Sequence, residues 1–400
     1  MFQENLLTCK PSYQNGSIVN LMQSIIQTLN PSKKPSVGAY GELDIFPIKQ
    51  SKKAKRIGLI VVDGLGQNLY DILDHKKSLG AWHLGTLTSV YPSTTASAIC
   101  TFLTGSAPKQ HGITGWYMYL PEIAEVATIL PFISRLKKED LKQYGLDPLT
   151  LTNSETLTKQ LGTKSTMIQP AEISDSAFSQ SMGQGAVRQS YRSYEEFSSF
   201  IKAFVRGNTD SSYLYGYIPT IDSTAHHFGP YSLEAQMEYE KISKLLSTLF
   251  KLAEASDTML ITTADHGFIH SPPERRIYLT DHPELKRMLS LPLCGEPRTA
   301  YAYVKEKTKR KFVAYIKDNL NEAIEIEESG KFVSSNWLGT GKPSGFLKDR
   351  VGDFVLLMKE NYAIYDPLPN EIPPSLLGVH GGRSASEINV PLFVSGPSNL

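Results

Sequence analysis

Cysteine is scarce in this chain: three in 400 residues, Cys9, Cys100 and Cys294, with no close-paired spacing. So sparse and odd a set excludes a disulfide framework and a thiolate zinc site. It makes a reducing, cytoplasmic setting the expectation, with export lacking a cleaved signal as the alternative. Long apolar runs are missing too. No stretch reaches the ~18 residues that span a bilayer, and the start, MFQENLLTCKPSYQNG, lacks the basic lead and apolar core of a secretory signal. A soluble chain without a membrane span is therefore expected. Net charge is almost nil, 41 Lys and Arg against 40 Asp and Glu. Bulk charge thus offers no attraction for a nucleic-acid polymer or an acidic membrane, and any charge selectivity must be local. With 40% hydrophobic residues the chain can bury one large core or two modest ones. Oligomeric state is not legible in the composition.

Six segments carry the pattern of buried strands. Ile57–Val62 is a continuous apolar, β-branched run, as in a parallel-sheet strand covered on both faces. Leu87–Tyr91, Ser165–Pro170, Ser211–Ile218 and Thr258–Thr263 resemble it, and Val390–Val394 closes the sheet. Helical spacing is expected over Ile18–Leu29, over Thr94–Leu103 up to Gly105, and over Ser232–Ala255. In the last, Leu233, Met237, Ile242, Leu245, Leu246, Leu249 and Leu252 form a core-facing stripe. Residues 172–195, rich in Ser, Gln and Gly, predict a surface loop. The organisation expected is an N-terminal extension over 1–56, a catalytic α/β domain over 57–270 and 371–400, and a small α+β insert over 271–370.

Polar residues that could do chemistry follow the strands. Asp63 ends the first, where open α/β sheets put their ligands; the competing reading is an Asp that caps the next turn. Asp222 and His226 follow the Ser211–Ile218 strand four residues apart, so a helical turn gives them one face. Asp265 and His266 follow Thr258–Thr263 and precede Gly267, whose freedom lets both reach one ion. His380 lies between glycines in Gly378–Gly382. Asp74-His75 and Asp281-His282 follow no strand and are set aside. Three carboxylates and three imidazoles suit a two-metal centre, with zinc preferred and manganese as the substitute. At the start of the Thr94–Leu103 helix, Thr94 or Thr95 can be an N-cap or a nucleophile at the positive end of a helix dipole. Two ions that lower the pKa of a hydroxyl favour the nucleophile.

The ordered set VVDGLG (Val61–Gly66), YPSTT with LTG and HGI (Tyr91–Ile113), IDSTAHHFGP (Ile221–Pro230), TADHG (Thr263–Gly267) and GVHGG resembles the alkaline phosphatase superfamily. It is most similar to the type I phosphodiesterase/nucleotide pyrophosphatase branch, from about Ile57 to the C-terminus. The resemblance implies an alkaline-phosphatase-like α/β fold: a central, mostly parallel sheet flanked by helices. It implies one zinc on Asp222, His226 and His380 and another on Asp63, Asp265 and His266. Thr95 would touch the second ion and form a phosphothreonine intermediate. Two positions depart from the family. An aromatic base clamp is replaced by Ala96, and an Asn that bonds a phosphoryl oxygen is replaced by Trp116, whose indole only donates. The resemblance therefore supports cleavage of a small-molecule phosphodiester or nucleotide-like substrate more firmly than it supports nucleotide preference. A sulfatase is set aside because residues 92–104 contain no arginine. A phosphomonoesterase or phospho-group transferase would share these ligands, but no basic residue is evident beside Thr95, which favours diesters. A non-catalytic metal-binding module is the alternative of another class, and it would be expected to have lost one of the seven site residues.

Overall fold

An unbroken apolar run such as Ile57–Val62 is stable in a strand only where both faces are covered, and the strand that holds it, Arg56–Val62 (β1), occupies that position at the middle of a seven-stranded sheet. The computed structural model describes residues 4–33, 40–74, 77–210, 212–369 and 371–397; His75 and Ser211 lie outside the described residues. The other strands of this sheet are His83–Thr88 (β2), Ser165–Pro170 (β3), Ala186–Tyr191 (β4), Tyr213–Ile218 (β5), Thr258–Thr263 (β6) and Asn389–Ser395 (β7). Their order is β2-β7-β6-β1-β5-β3-β4. Pairing is parallel throughout except along β7, which is antiparallel to both neighbours. This is the mostly parallel α/β sheet that the motif order implied.

Register brings the motifs together. Val62 pairs with Ile218 and Val61 with Thr263, so the loops leaving β1, β5 and β6 emerge side by side at one edge of the sheet. Helix α1 (Ile18–Leu29) buries Ile18, Val19, Leu21, Met22, Ile25 and Ile26 in the same core as β1. Helices α2 (Thr95–Thr104), α3 (Thr220–Phe228) and α4 (Leu233–Glu254) complete the framework around the site. Among the described residues no helix is long and apolar enough to cross a membrane.

A second seven-stranded sheet joins Ile324–Glu328, Phe354–Met358, Thr299–Ala302 and Cys294–Gly295 to Tyr117–Leu120, Glu125–Thr128 and Ile133–Ser134. Strands from two distant parts of the sequence thus share one ladder, through the single pairing of Gly295 with Tyr117.

Three local expectations fail for tertiary reasons. Residues 172–195 are not a loop: they form the short helix Ala177–Met182, the edge strand β4 and the start of a helix at Tyr194. An edge strand with one face in solvent needs little apolar periodicity, because the neighbouring strand β3 supplies its hydrogen bonds. Leu87 does lie in a strand, but that strand is His83–Thr88, and Ser89–Ser93 turns away from the sheet toward the site. In α4 the buried face is Ala235, Tyr239, Ile242, Leu246, Leu249, Phe250 and Ala253, whereas Leu233 and Met237 are exposed.

Two glycines permit the close approach of the β1 and β6 loops. A Cβ on Gly66 would stand 2.4 Å from Gly267 Cα, and one on Gly267 would stand 2.1 Å from the Ser386 carbonyl oxygen. Both obstacles are backbone, so neither can rotate aside. Gly267→Ala is expected to cost about 1–3 kcal/mol or more by overpacking, read as a lower urea midpoint with an unchanged m-value. A midpoint equal to wild type would show that these loops are not held in contact.

Candidate functional site

Asp63 is carried out of the sheet by β1 and is buried, with Tyr217 of the neighbouring β5 donating its hydroxyl to Asp63 Oδ2. Gly64 turns the chain at φ +75°, and its N–H donates to Asp265 Oδ1 at 3.0 Å. That bond orients the second carboxylate from the first loop. Asp222 and His226 share one face of α3, with His226 Nε2 3.3 Å from Asp222 Oδ1. Thr94 takes the N-cap position of α2 and Thr95 the first helical one. Thr95 Oγ1 lies 3.1 Å from His266 Nε2, while Thr94 donates its hydroxyl to Glu296 Oε1 at 2.7 Å and makes no side-chain cap. The two threonines therefore have separate tasks.

Each of the three imidazoles has Nδ1 against a backbone carbonyl: His226 on Gly378 at 2.8 Å, His266 on Gly267 at 3.2 Å and His380 on Ser93 at 3.3 Å. An Nδ1–H donated there leaves the Nε2 lone pair free, the arrangement found around metal-ligating histidines. All three Nε2 atoms face carboxylates. His266 Nε2 is 3.3 Å from Asp63 Oδ1, 3.5 Å from Asp265 Oδ2 and 4.0 Å from Asp222 Oδ1, and His380 Nε2 is 3.7 Å from Asp222 Oδ1. Ligand atoms of Asp63, Asp265 and His266 lie within 4.8 Å of one another, and so do those of Asp222, His266 and His380. His266 thus touches both groups, with its ring stacked on His380 at a centroid distance of 3.7 Å. His226 adjoins the second group through Asp222.

The carboxylate oxygens that face the imidazoles, Asp63 Oδ1, Asp222 Oδ1 and Asp265 Oδ2, are buried and have no hydrogen-bond partner. Burying an uncompensated anion is costly. Burial pushes the Asp63 carboxyl well above the usual range, and the negative charges of Asp265 and Asp222 push it further. Burial acts on Asp222 in the same direction, but His226, His380 and His266 outweigh it and hold that carboxyl low. Burial and the neighbouring His266 and His226 press His380 well below the ordinary histidine value. A donor set of buried, unpartnered carboxylate oxygens facing imidazole nitrogens fits divalent cations, and its mixed N/O character suits zinc.

A cavity of 710 Å³ opens beside the cluster, lined by Thr95, Asp222, His226 and His380 on one side and by Trp116 on another. Of the two positions that depart from the family pattern, Trp116 lines this cavity and donates its backbone N–H to Glu296 Oε1 at 2.6 Å. Ala96 is wholly buried in the main core. Glu296 is the residue that motif reading misses: burial raises its carboxyl to about 7, against the bonds from Thr94 and the Trp116 N–H. It follows no strand motif and reaches the site across 200 residues of sequence. The two pairs set aside stay apart: His282 Nδ1 lies 3.0 Å from the Tyr315 hydroxyl, and Asp74 accepts from Ser78.

The family model for type I phosphodiesterase/nucleotide pyrophosphatase matches residues 59–383. Among curated proteins none matches the sequence. Murine ectonucleotide pyrophosphatase/phosphodiesterase 5 superposes with a TM-score of 0.64 at 18% identity, covering 86% of this chain and 88% of that one. It is also represented by an inactive threonine-to-alanine variant in complex with AMP. Phosphonoacetate hydrolase from Sinorhizobium meliloti 1021, in complex with phosphonoformate, gives 0.61 at 20% identity, covering 86% and 91%. At these identities the likeness is one of fold.

Proposed function

The chain belongs to the type I phosphodiesterase/nucleotide pyrophosphatase family, a family of phosphoester hydrolases, and from that premise we propose that it cleaves phosphodiester or phosphoanhydride bonds with Thr95 as nucleophile. The observation that carries this reading is the set of three unpartnered, buried carboxylate oxygens beside the Thr95 hydroxyl. Asp222, His226 and His380 would hold one divalent ion, and Asp63, Asp265 and His266 the other, with Thr95 next to the second. Bound there, zinc or manganese would supply Lewis acidity to the phosphoryl oxygens and make a hydroxyl a stronger nucleophile at neutral pH.

Everything else falls to the chain itself. Thr95 Oγ1 gives its proton to solvent and attacks phosphorus in line, the ester P–O bond opposite breaks, and the departing oxygen takes a proton from solvent. A phosphothreonine that keeps the other substituent on phosphorus remains. Water then cleaves the new Oγ–P bond and restores the Thr95 hydroxyl, so two inversions leave net retention. The N-terminus of α2 contributes backbone N–H groups with no helical partner, which favour the charge on the phosphoryl oxygens. Tyr217 and the Gly64 N–H fix two carboxylates before substrate arrives. The inactive threonine-to-alanine variant of the murine neighbour agrees with a threonine nucleophile.

The preference for diesters rests on Glu296. The ionisable side chain bonded to the residue next to Thr95 is an acid whose carboxyl burial raises to about 7, so above that pH, once ionised, it repels the second negative charge of a monoester. With the zinc-loaded enzyme, bis-4-nitrophenyl phosphate is expected to exceed 4-nitrophenyl phosphate in kcat/KM by about 10- to 100-fold, the effect of roughly 1.4–2.8 kcal/mol of repulsion. A preference for the monoester overturns the diesterase reading.

A further inference from the structure

Beyond His380 the chain is held from outside. Gly381 turns at φ +99°, and neither it nor Gly382 has a side chain to restrict its own backbone, so the loop that delivers His380 is only as stiff as its neighbours make it. Hydroxyls take its carbonyls: Thr299 Oγ1 donates to the Gly381 oxygen at 2.7 Å and Ser93 Oγ to the Gly382 oxygen at 2.9 Å. The Gly382 N–H donates to Glu387 Oε1 at 2.7 Å. Glu387 is wholly buried, and Arg298 Nε and Nη2 meet its two oxygens at 3.1 Å each. A Cβ on Gly382 would stand 2.6 Å from Glu387 Oε1 and 2.9 Å from Arg298 Nε. The bare glycine is what admits this ion pair against the backbone.

Helix capping accounts for only part of it. Glu387 is the third residue of the one-turn helix Ala385–Ile388, and its Oε2 closes a capping box with Ser384. A capping box needs no arginine and leaves Oε1 without a task. Stability does not explain the pair either, since buried ion pairs are often no more stabilising than apolar side chains of similar volume. What distinguishes Glu387 is that it meets both loops that carry the buried imidazoles His266 and His380. Its backbone carbonyl accepts the Gly267 N–H at 2.8 Å, next to His266, and its side chain takes the Gly382 N–H beyond His380. Replacing the side chain keeps the first contact and removes the second.

We propose that Glu387 is a positioning residue for His380: it fixes the His380 loop through the Gly382 N–H, and Arg298 compensates its charge so that the carboxylate can stay buried there. This rests on the two-ion phosphodiesterase reading above and concerns the ion held by Asp222, His226 and His380. Partners behind a ligating histidine set how well its ring is oriented. The His380 ring has its Nδ1 against the carbonyl of Ser93, whose hydroxyl also holds Gly382, so a loop freed at Gly382 frees the ring. Glu387, being wholly buried, touches neither substrate nor ion. Its loss weakens one zinc and spares the one on Asp63, Asp265 and His266.

The test uses two double variants of the full chain, neither of which leaves a lone buried charge. Arg298→Met with Glu387→Gln keeps a side-chain oxygen for the Gly382 N–H, and Arg298→Met with Glu387→Met does not. Zinc affinity is measured by competition with a chromogenic chelator, and the zinc-free Tm checks the fold. The first double variant is expected to bind two zincs with affinities like those of wild type. The second is expected to bind one zinc as wild type does and the other about 10- to 100-fold more weakly. Two zincs bound as in wild type by the folded second variant overturn the proposal and leave the phosphodiesterase reading intact. Equal weakening of both zincs also overturns it, because the loss would then be a general one. So does a first variant as weak as the second, because the oxygen would not be the cause. Should the second variant not fold, Gly382→Ala decides: its Cβ takes the place of the carboxylate at the loop, the same one-zinc loss is expected, and two zincs of wild-type affinity overturn the proposal. A wild type that binds fewer than two zincs overturns the two-ion reading and this inference with it.

Discussion

Thr95→Ala is expected to lower kcat/KM for bis-4-nitrophenyl phosphate by about 1,000-fold or more, with metal content and fold unchanged. The substitution separates two roles that a threonine at a helix start can have. An N-cap lost to alanine costs about 1 kcal/mol of stability and need not touch turnover. But Thr94, not Thr95, is the N-cap of α2, and alanine is a better helix former than threonine in the first turn. Stability should therefore move by less than about 0.5 kcal/mol, while the attacking oxygen is gone. Thr95→Ser keeps that oxygen and is expected to remain within about tenfold of wild type. Thr95→Ala turning over as fast as wild type, with metal retained, would remove Thr95 from the chemistry. A loss of stability without a loss of rate would return it to the role of a cap.

Removing divalent metal should have an effect of similar size. Chelation is expected to abolish turnover, and added zinc to restore it, with two equivalents bound per chain. The same ions should stabilise the fold, because Asp63 Oδ1, Asp222 Oδ1 and Asp265 Oδ2 are buried without partners. A ligand bound at ~1,000 times its Kd contributes about 4 kcal/mol. The pH dependence has a definite sign. Burial and two neighbouring carboxylates raise the Asp63 pKa. Burial lowers that of His226, but Asp222 more than offsets it and leaves it raised. Both groups must give up their protons before they can ligate. Zinc stabilisation should therefore be fully present above those raised values and be lost as pH falls through them. The increment in Tm on adding zinc is expected to be larger at pH 8 than at pH 5.5. Full activity in chelator, with well under one equivalent of transition metal per chain, would sink the metal reading.

Much of the site is legible in the sequence because parallel strands deliver polar residues at their ends. An apolar run such as Ile57–Val62 can only be a covered strand, so the Asp that follows it must emerge at the sheet edge. The same reasoning applies to Asp265 and His266 after β6 and to Asp222 and His226 on the first turns after β5. Glu296 is different. It reaches the cluster only because Cys294–Gly295 pairs with Tyr117–Leu120, which brings the second sheet against the loop after α2. Nothing in the residues around Glu296 encodes that approach. Residues 172–195 were equally opaque, since an edge strand such as Ala186–Tyr191 borrows its hydrogen bonds from a neighbour and needs no apolar alternation of its own.

By itself, then, the sequence determined the α/β class, the order of the motifs and the residue types available for metal and phosphoryl chemistry, because hydrophobic runs and the polar residues ending them are local features. Tertiary structure alone decided which threonine takes the N-cap position, which way each imidazole points and which carboxylate oxygens lack partners. It alone also paired Arg298 with Glu387 and set Glu296 beside Thr94. Those outcomes depend on contacts between segments as far as 287 residues apart, and such contacts exist only once the two sheets have folded and packed.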